Sequence, residues 1–289
     1  MHPLIEHLLT ADTIITDGAW GTQLQARGLP IGACPDEWNL SHADRVQDVA
    51  AAYVAAGSRV ILTNTFGANR VRLAEFGLAD MTTKINQLGA AISKRAVAGT
   101  TTLVFASIGP TGKMLVAGDV TEDELRAAFT EQAQALKEGG ADALVIETMA
   151  ELEEAQIALA AAQTTGLPVV VSLTFDTGGR TMMGVSPDQA ARHFTKAGAD
   201  IIGSNCGNGI AAFIPICKEL RAATNLPIWV KANAGQPEYA DGKVVYRITP
   251  KEFAGHAPAL RDAGANFIGG CCGTSPDHIS AVAKSFKWP

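Results

Sequence analysis

No cluster of lysines or arginines interrupts this chain of 289 residues, whose 23 Lys and Arg face 29 Asp and Glu for a net charge of −6. That balance excludes a basic surface of the kind that grips nucleic acid. No uncharged apolar run approaches ~18 residues, so no membrane-spanning helix is expected. The first residues, Met1-His2-Pro3-Leu4-Ile5-Glu6-His7, lack a basic stretch leading into an apolar one, and no secretory signal is expected there. Long polar, Pro-rich or low-complexity segments are missing, which confines expected disorder to the termini. Neither a dinucleotide-binding glycine fingerprint nor a Walker lysine motif is present. Cysteine is scarce: five residues, two of them adjacent, fit no disulfide framework. Reduced thiols and a cytoplasmic location are the expectation.

What is present is a repeated unit. Hydrophobic residues make up 47% of the chain, enough for a substantial core. Short β-branched runs alternate with Ala-rich amphipathic stretches. The pattern predicts strands at Thr13–Thr16, Arg59–Thr63, Thr102–Ser107, Ala143–Ile146, Pro168–Thr174, Asp200–Gly203, Pro227–Lys231 and Asn266–Gly269. It predicts helices near His42–Ala56, Met81–Ala98, Thr121–Glu138, Glu151–Thr164, Pro187–Lys196, Ala211–Ala223, Pro250–Ala263 and Pro276–Lys284. Three strands are approached alike, through Gly139-Gly140-Ala141-Asp142, Gly198-Ala199-Asp200 and Gly264-Ala265-Asn266, each with glycine where a helix would end. Apolar strands alternating with helices imply a parallel sheet covered on both faces. About eight units in a chain of this length point to a (β/α)8 TIM barrel, a single domain over residues 1–289. A doubly wound sheet is the alternative.

In such a barrel, chemistry belongs where strands hand over to the loops that follow them. Cys206 closes one apolar run, in Gly203-Ser204-Asn205-Cys206-Gly207, and Cys271 and Cys272 close another, in Gly269-Gly270-Cys271-Cys272-Gly273-Thr274. Three thiols meeting at one mouth suit Zn²⁺, which prefers sulfur and, in catalytic sites, keeps a fourth position open. The plainer alternatives are small buried hydrophobes or a strained vicinal disulfide. Asp17 and Glu147 end two further runs. Each carboxylate has an ordinary reading, as a helix cap or a loop salt bridge. Together they suit a substrate ammonium, with backbone N–H groups at Gly18, Ala19 or Gly270 for a carboxylate. Asn233, in Lys231-Ala232-Asn233-Ala234-Gly235, is either a turn residue or an oxygen donor near the metal.

Over nearly its whole length the chain resembles the homocysteine S-methyltransferase family. The resemblance rests on Asp17-Gly18-Ala19-Trp20-Gly21-Thr22, Thr63-Asn64-Thr65-Phe66-Gly67-Ala68-Asn69, Ile108-Gly109-Pro110-Thr111, Glu147-Thr148-Met149, Asn205-Cys206 and Gly269-Gly270-Cys271-Cys272-Gly273-Thr274. It implies Cys206, Cys271 and Cys272 as zinc ligands and catalytic residues, Asp17 and Glu147 on the homocysteine amino group, and Asn233 at the fourth zinc position before substrate arrives. Trp20 departs from the smaller or differently shaped apolar residue that relatives often carry.

The resemblance further implies a methyltransferase that makes methionine, with homocysteine as one partner and a methyl donor as the other. The donor expected is a methylated corrinoid protein or betaine. A corrinoid would arrive on a separate protein, since no cobalamin domain is expected in this chain. Betaine would need an aromatic cage, for which Trp20, Trp38, Phe66, Phe175 and Tyr239 are candidates. Loops 176–184 and 236–247 are the expected lids, with Gly178 and Gly179 as a hinge. The alternative function is a zinc- or amino-acid-binding barrel that senses thiols without methyl transfer.

Overall fold

Strand residues of both parities are apolar here because both faces of the sheet are covered. In a computed structural model, which describes residues 2–286 apart from 177, 241 and 242, the strands are β1 (Ile14–Ile15), β2 (Val60–Ile61), β3 (Leu103–Ile108), β4 (Ala143–Met149), β5 (Val169–Leu173), β6 (Ile201–Cys206), β7 (Ile228–Ala232), β8 (Glu238–Ala240), β9 (Lys243–Val245) and β10 (Phe267–Gly270). Eight of them form one sheet in the order β1-β10-β7-β6-β5-β4-β3-β2, with β8 and β9 a separate antiparallel hairpin. Thr16 bridges Val60 in parallel, so the two edges of the sheet meet. The result is the expected (β/α)8 barrel, with helices between the strands. No described helix is long and apolar enough to cross a membrane.

One parity points into the barrel. Ile14, Val60, Leu62, Phe105, Ala143, Val145, Val170, Ile201, Trp229 and Phe267 form a single buried cluster there. Trp229 bridges it, with ring centroids 6.1 Å from Phe105 and 5.4 Å from Phe267. The helix Pro3–Leu8, absent from the sequence reading, closes the bottom by adding Ile5 and Leu8 to the same cluster. The opposite parity, including Ile61, Val104, Leu144, Ile146, Val171, Ile202 and Val230, packs outward against the helices.

The repeated Gly-Ala-Asp/Asn approach has a second use beyond ending helices. Asp142 accepts from Val104 N at 2.8 Å, Asp200 from Val169 N at 3.0 Å, and Asn266 from Ile228 N at 2.9 Å. Each side chain thereby satisfies an N–H in the first two residues of the neighbouring strand. The expected helix over 250–263 is two helices, Pro250–Gly255 and Ala257–Asp262. Pro258 explains the break, since it lacks an N–H and its ring opposes the carbonyl four residues earlier.

Gly203 pairs with Trp229 in the β6–β7 register. A Cβ there would lie 2.1 Å from the Trp229 carbonyl oxygen and 2.6 Å from its Cβ. Gly203→Ala is therefore expected to cost about 3 kcal/mol by overpacking a site that cannot yield. A lowered urea midpoint with an unchanged slope would show it.

Candidate metal centre and substrate pocket

The inward parity turns polar as each strand approaches its C-terminal end. Two residues beyond Phe105, Val145, Val170 and Trp229 stand Ser107, Glu147, Ser172 and Lys231; four beyond Ile201 and Phe267 stand Asn205 and Cys271. Steps of two keep a side chain on one face of a strand. Ser107, Glu147, Ser172, Asn205 and Lys231 are all buried, so a polar layer lies directly on the apolar core. Glu147 and Cys206 belong to β4 and β6 themselves, which run further than their apolar stretches suggested.

The three predicted thiols converge. The sulfurs of Cys206, Cys271 and Cys272 lie within 4.8 Å of one another, and none is in a disulfide. Cys206 has φ of 69°, a left-handed conformation that non-glycine residues seldom hold away from functional sites. Hydrogen bonds from Cys271 and Cys272 pull its thiol well below the usual range, against the effect of burial. The bonds to Cys206, with burial, hold Cys271 and Cys272 above theirs. Asn233 Nδ2 lies 3.5 Å from Cys206 Sγ and donates to Gly207 O at 2.8 Å. Its Oδ1 is buried without a hydrogen-bond partner among the described residues. Three soft sulfurs gathered at one point suit a tetrahedral zinc site, and Asn233, whose Nδ2 touches Cys206, carries an unpartnered oxygen on the same amide. The residues fit zinc.

Two residues that the sequence reading left without a role serve this cluster. Asn205 accepts from Thr148 N at 2.8 Å and Ser172 Oγ at 2.7 Å, donates to Thr148 Oγ1 at 2.7 Å, and places its amide 4.0 Å from Cys271 Sγ. Tyr246 bonds through its hydroxyl to Cys272, and its ring covers Gly273, where a Cβ would lie 2.1 Å from the ring carbon Cγ. Tyr246 lies in the second expected lid. Thr177 of the first lid, and Asp241 and Gly242 of the second, fall outside the described residues.

Glu147 sits at an irregularity of β4. The β4–β5 register shifts between Ile146 and Met149, and Thr148 has φ of 64°. Such a bulge re-aims neighbouring side chains. Ser107 Oγ donates to Glu147 Oε1 at 2.5 Å. Burial pushes the Glu147 carboxyl up to about 6, with the Lys231 charge and the Ser107 bond opposing it.

Asp17 is fully buried and more heavily engaged. Its Oδ2 accepts from Trp20 Nε1 and from Leu62 N, each at 2.7 Å. Its Oδ1 forms an ion pair with Lys231, whose ammonium also donates to the Asp17 carbonyl at 3.0 Å. A lysine in the apolar run Ile228-Trp229-Val230-Lys231-Ala232 is a sequence signal for such a partner, because lysine is almost never fully buried unpaired. Gly270 N donates to Asp17 O at 2.9 Å and Ala19 N to Thr274 Oγ1 at 3.0 Å, so both N–H groups serve the barrel seam.

The cage candidates do not share one surface role. Trp38 is buried and stacks on His42 at 4.6 Å, Phe175 is buried in the strand–helix core, Trp20 bonds Asp17, and Phe66 and Tyr239 are exposed.

Comparison with known proteins decides the family. The family model described as homocysteine S-methyltransferase matches residues 14–286. The chain belongs to the homocysteine S-methyltransferase family. Within it, the chain is 31% identical over 295 residues to the methionine synthase of Mycobacterium leprae (strain TN), a match covering 96% of this chain and 24% of that protein. It is also 31% identical over 296 residues to the methionine synthase of Mycobacterium tuberculosis (strain ATCC 25618 / H37Rv), covering 96% and 25%. The chain thus spans about a quarter of the length of these relatives. The metallated form of the homocysteine methyltransferase MmuM from Escherichia coli shares the fold, with a TM-score of 0.83 at 23% identity over 98% of this chain and 99% of that one.

Proposed function

We propose that this member of the family is a zinc-dependent homocysteine S-methyltransferase that makes methionine. The observation that carries the reading is the convergence of Cys206, Cys271 and Cys272, with the Asn233 amide against Cys206. The cysteines would hold Zn²⁺, with Asn233 Oδ1 completing the set until a substrate thiol takes its place. Bound zinc would keep the substrate thiol deprotonated at neutral pH; a thiolate displaces the donor from its methyl carbon, the C–S bond forming as the methyl–donor bond breaks and its electron pair leaves with the donor. Asn205, pinned by Thr148 and Ser172, steadies Cys271 from below. Glu147 and Asp17 form the acidic end of the pocket, toward the homocysteine amino group. Of the backbone groups expected for its carboxylate, Gly270 N is already bonded to Asp17 O and Ala19 N to Thr274 Oγ1, so the carboxylate is placed toward Gly18.

A methylated corrinoid protein is the donor favoured over betaine, because Trp38, Phe175 and Trp20 are committed to other contacts. Free thiols of this kind persist in a reducing compartment, which supports a cytoplasmic location. The test is metal analysis followed by a donor screen. Protein purified under reducing conditions is expected to carry about one zinc per chain. Supplied with homocysteine, it is expected to form methionine from methylcobalamin rather than from betaine, S-methylmethionine or S-adenosylmethionine. A zinc-free preparation, or zinc-loaded protein that yields no methionine with any donor, would overturn the reading; the second result would leave a thiol sensor.

A further inference from the structure

A loaded site would bring the substrate sulfur up to three protein sulfurs, and only the substrate's is to be methylated. Each protein sulfur has a side-chain donor of its own. Asn233 Nδ2 lies 3.5 Å from Cys206 Sγ, Asn205 Nδ2 lies 4.0 Å from Cys271 Sγ, and the Tyr246 hydroxyl bonds Cys272. The two asparagines stand at the ends of β6 and β7. Tyr246 stands in a loop, and that loop is tied down on both sides. Before it, Val245 pairs with Glu238 in the β8–β9 hairpin. After it, Ile248 N donates to Ala234 O at 3.1 Å, and Ala234 N in turn to Cys272 O at 3.0 Å. His278 Nδ1 accepts from Ser275 N at 3.2 Å, which leaves the ring proton on Nε2, 3.0 Å from Ile248 O. The Tyr246 ring lies on Gly273, where a Cβ would overlap its Cβ, Cγ and Cδ2. A long tyrosine side chain is therefore held over the cluster from outside the barrel strands.

We propose, on the reading of this site as a zinc methyltransferase, that Tyr246 is a specificity-determining residue that withholds Cys272 from the methyl donor. A hydrogen bond to a thiolate draws charge from the sulfur and makes it a weaker nucleophile. Without the hydroxyl, Cys272 Sγ would compete with the substrate. Its C–S bond would form as the methyl–donor bond breaks and the electron pair leaves with the donor. The product, S-methylcysteine, is a neutral thioether, and the thiolate that binds metal is lost.

Methyl iodide tests this without the natural donor. Zinc-loaded protein free of homocysteine is treated with it, and digestion followed by mass spectrometry reads S-methylation at each cysteine separately. Tyr246→Phe keeps the ring on Gly273 and removes only the hydroxyl. It is expected to methylate Cys272 about tenfold faster than wild type, the scale of one lost hydrogen bond to a charged group, with Cys206 and Cys271 unchanged. Cobalt(II) in place of zinc gives a second readout. The sulfur-to-cobalt absorption band of the variant is expected at longer wavelength, because Cys272 donates more charge. A residue that served packing alone would move neither signal. Equal melting temperatures establish that the variant is folded.

Cys272 methylated at the wild-type rate in folded Tyr246→Phe protein overturns the inference and leaves the zinc and methionine assays of wild type standing. Loss of zinc from the variant, or faster methylation at all three cysteines alike, overturns it as well, since either marks a loosened site. Wild-type protein that binds no zinc or forms no methionine overturns the functional reading and this inference together.

Discussion

Cys206→Ser is expected to lose zinc and methionine formation together while keeping its fold. Serine replaces a sulfur ligand with a neutral hydroxyl that binds zinc poorly, and altering even an outer-shell partner costs ~10–100-fold in metal affinity. Removal of a direct ligand is expected to exceed about 100-fold on that scale. The backbone should tolerate the change. Cys206 holds φ of 69°, and serine meets the same steric cost there as cysteine. A chelator supplies the control: it is expected to lower the melting temperature of wild-type protein, because a ligand bound only to the native state stabilises it. The variant should melt at one temperature with or without chelator. Metal analysis and paired melts decide the matter, and a variant that keeps about one zinc per chain and still turns over would remove Cys206 from the ligand set.

The barrel was legible because its strands are long enough to show apolar runs of both parities. Leu144, Val145 and Ile146 face alternately outward, inward and outward, and all three are buried. The thiols were legible because cysteine in Gly-rich strand ends has few structural reasons to cluster. Less legible were features that need a partner distant in sequence. Nothing local to Asp17 shows that Lys231, 214 residues away, will occupy its carboxylate. Strand ends were misjudged for a related reason. β4 and β6 continue through Glu147 and Asn205, polar residues on the inward face, so the apolar signal stops before the hydrogen-bond ladder does. The plug helix Pro3–Leu8 was missed because six residues carry little periodicity.

Glu147→Gln is expected to weaken homocysteine binding about 100-fold while making the zinc-free protein more stable above pH 6. Truncating one partner of a buried, hydrogen-bonded charge pair costs ~3 kcal/mol, which sets the binding loss. The stability change has the opposite sign, and its pH window follows from the carboxyl itself. Burial raises the folded pKa from the ordinary 4.5 to about 6. Between those values the unfolded chain has released the proton that the native state still holds, so unfolding releases a proton and stability falls as pH rises. The contribution is present below pH 4.5 and gone above about pH 6. The gap corresponds to about 2 kcal/mol at ~1.36 kcal/mol per pH unit. Glutamine keeps a polar group opposite Ser107 and has no charge to desolvate. Urea unfolding of both proteins at a series of pH values isolates this one group, since every other titration is common to the pair. The curves should converge near pH 4.5 and separate by about 2 kcal/mol at pH 8, with the variant above. A wild-type protein more stable than the variant at pH 8 would mean that ionised Glu147 is a structural ion-pair partner, not a charge held in reserve for the substrate amine.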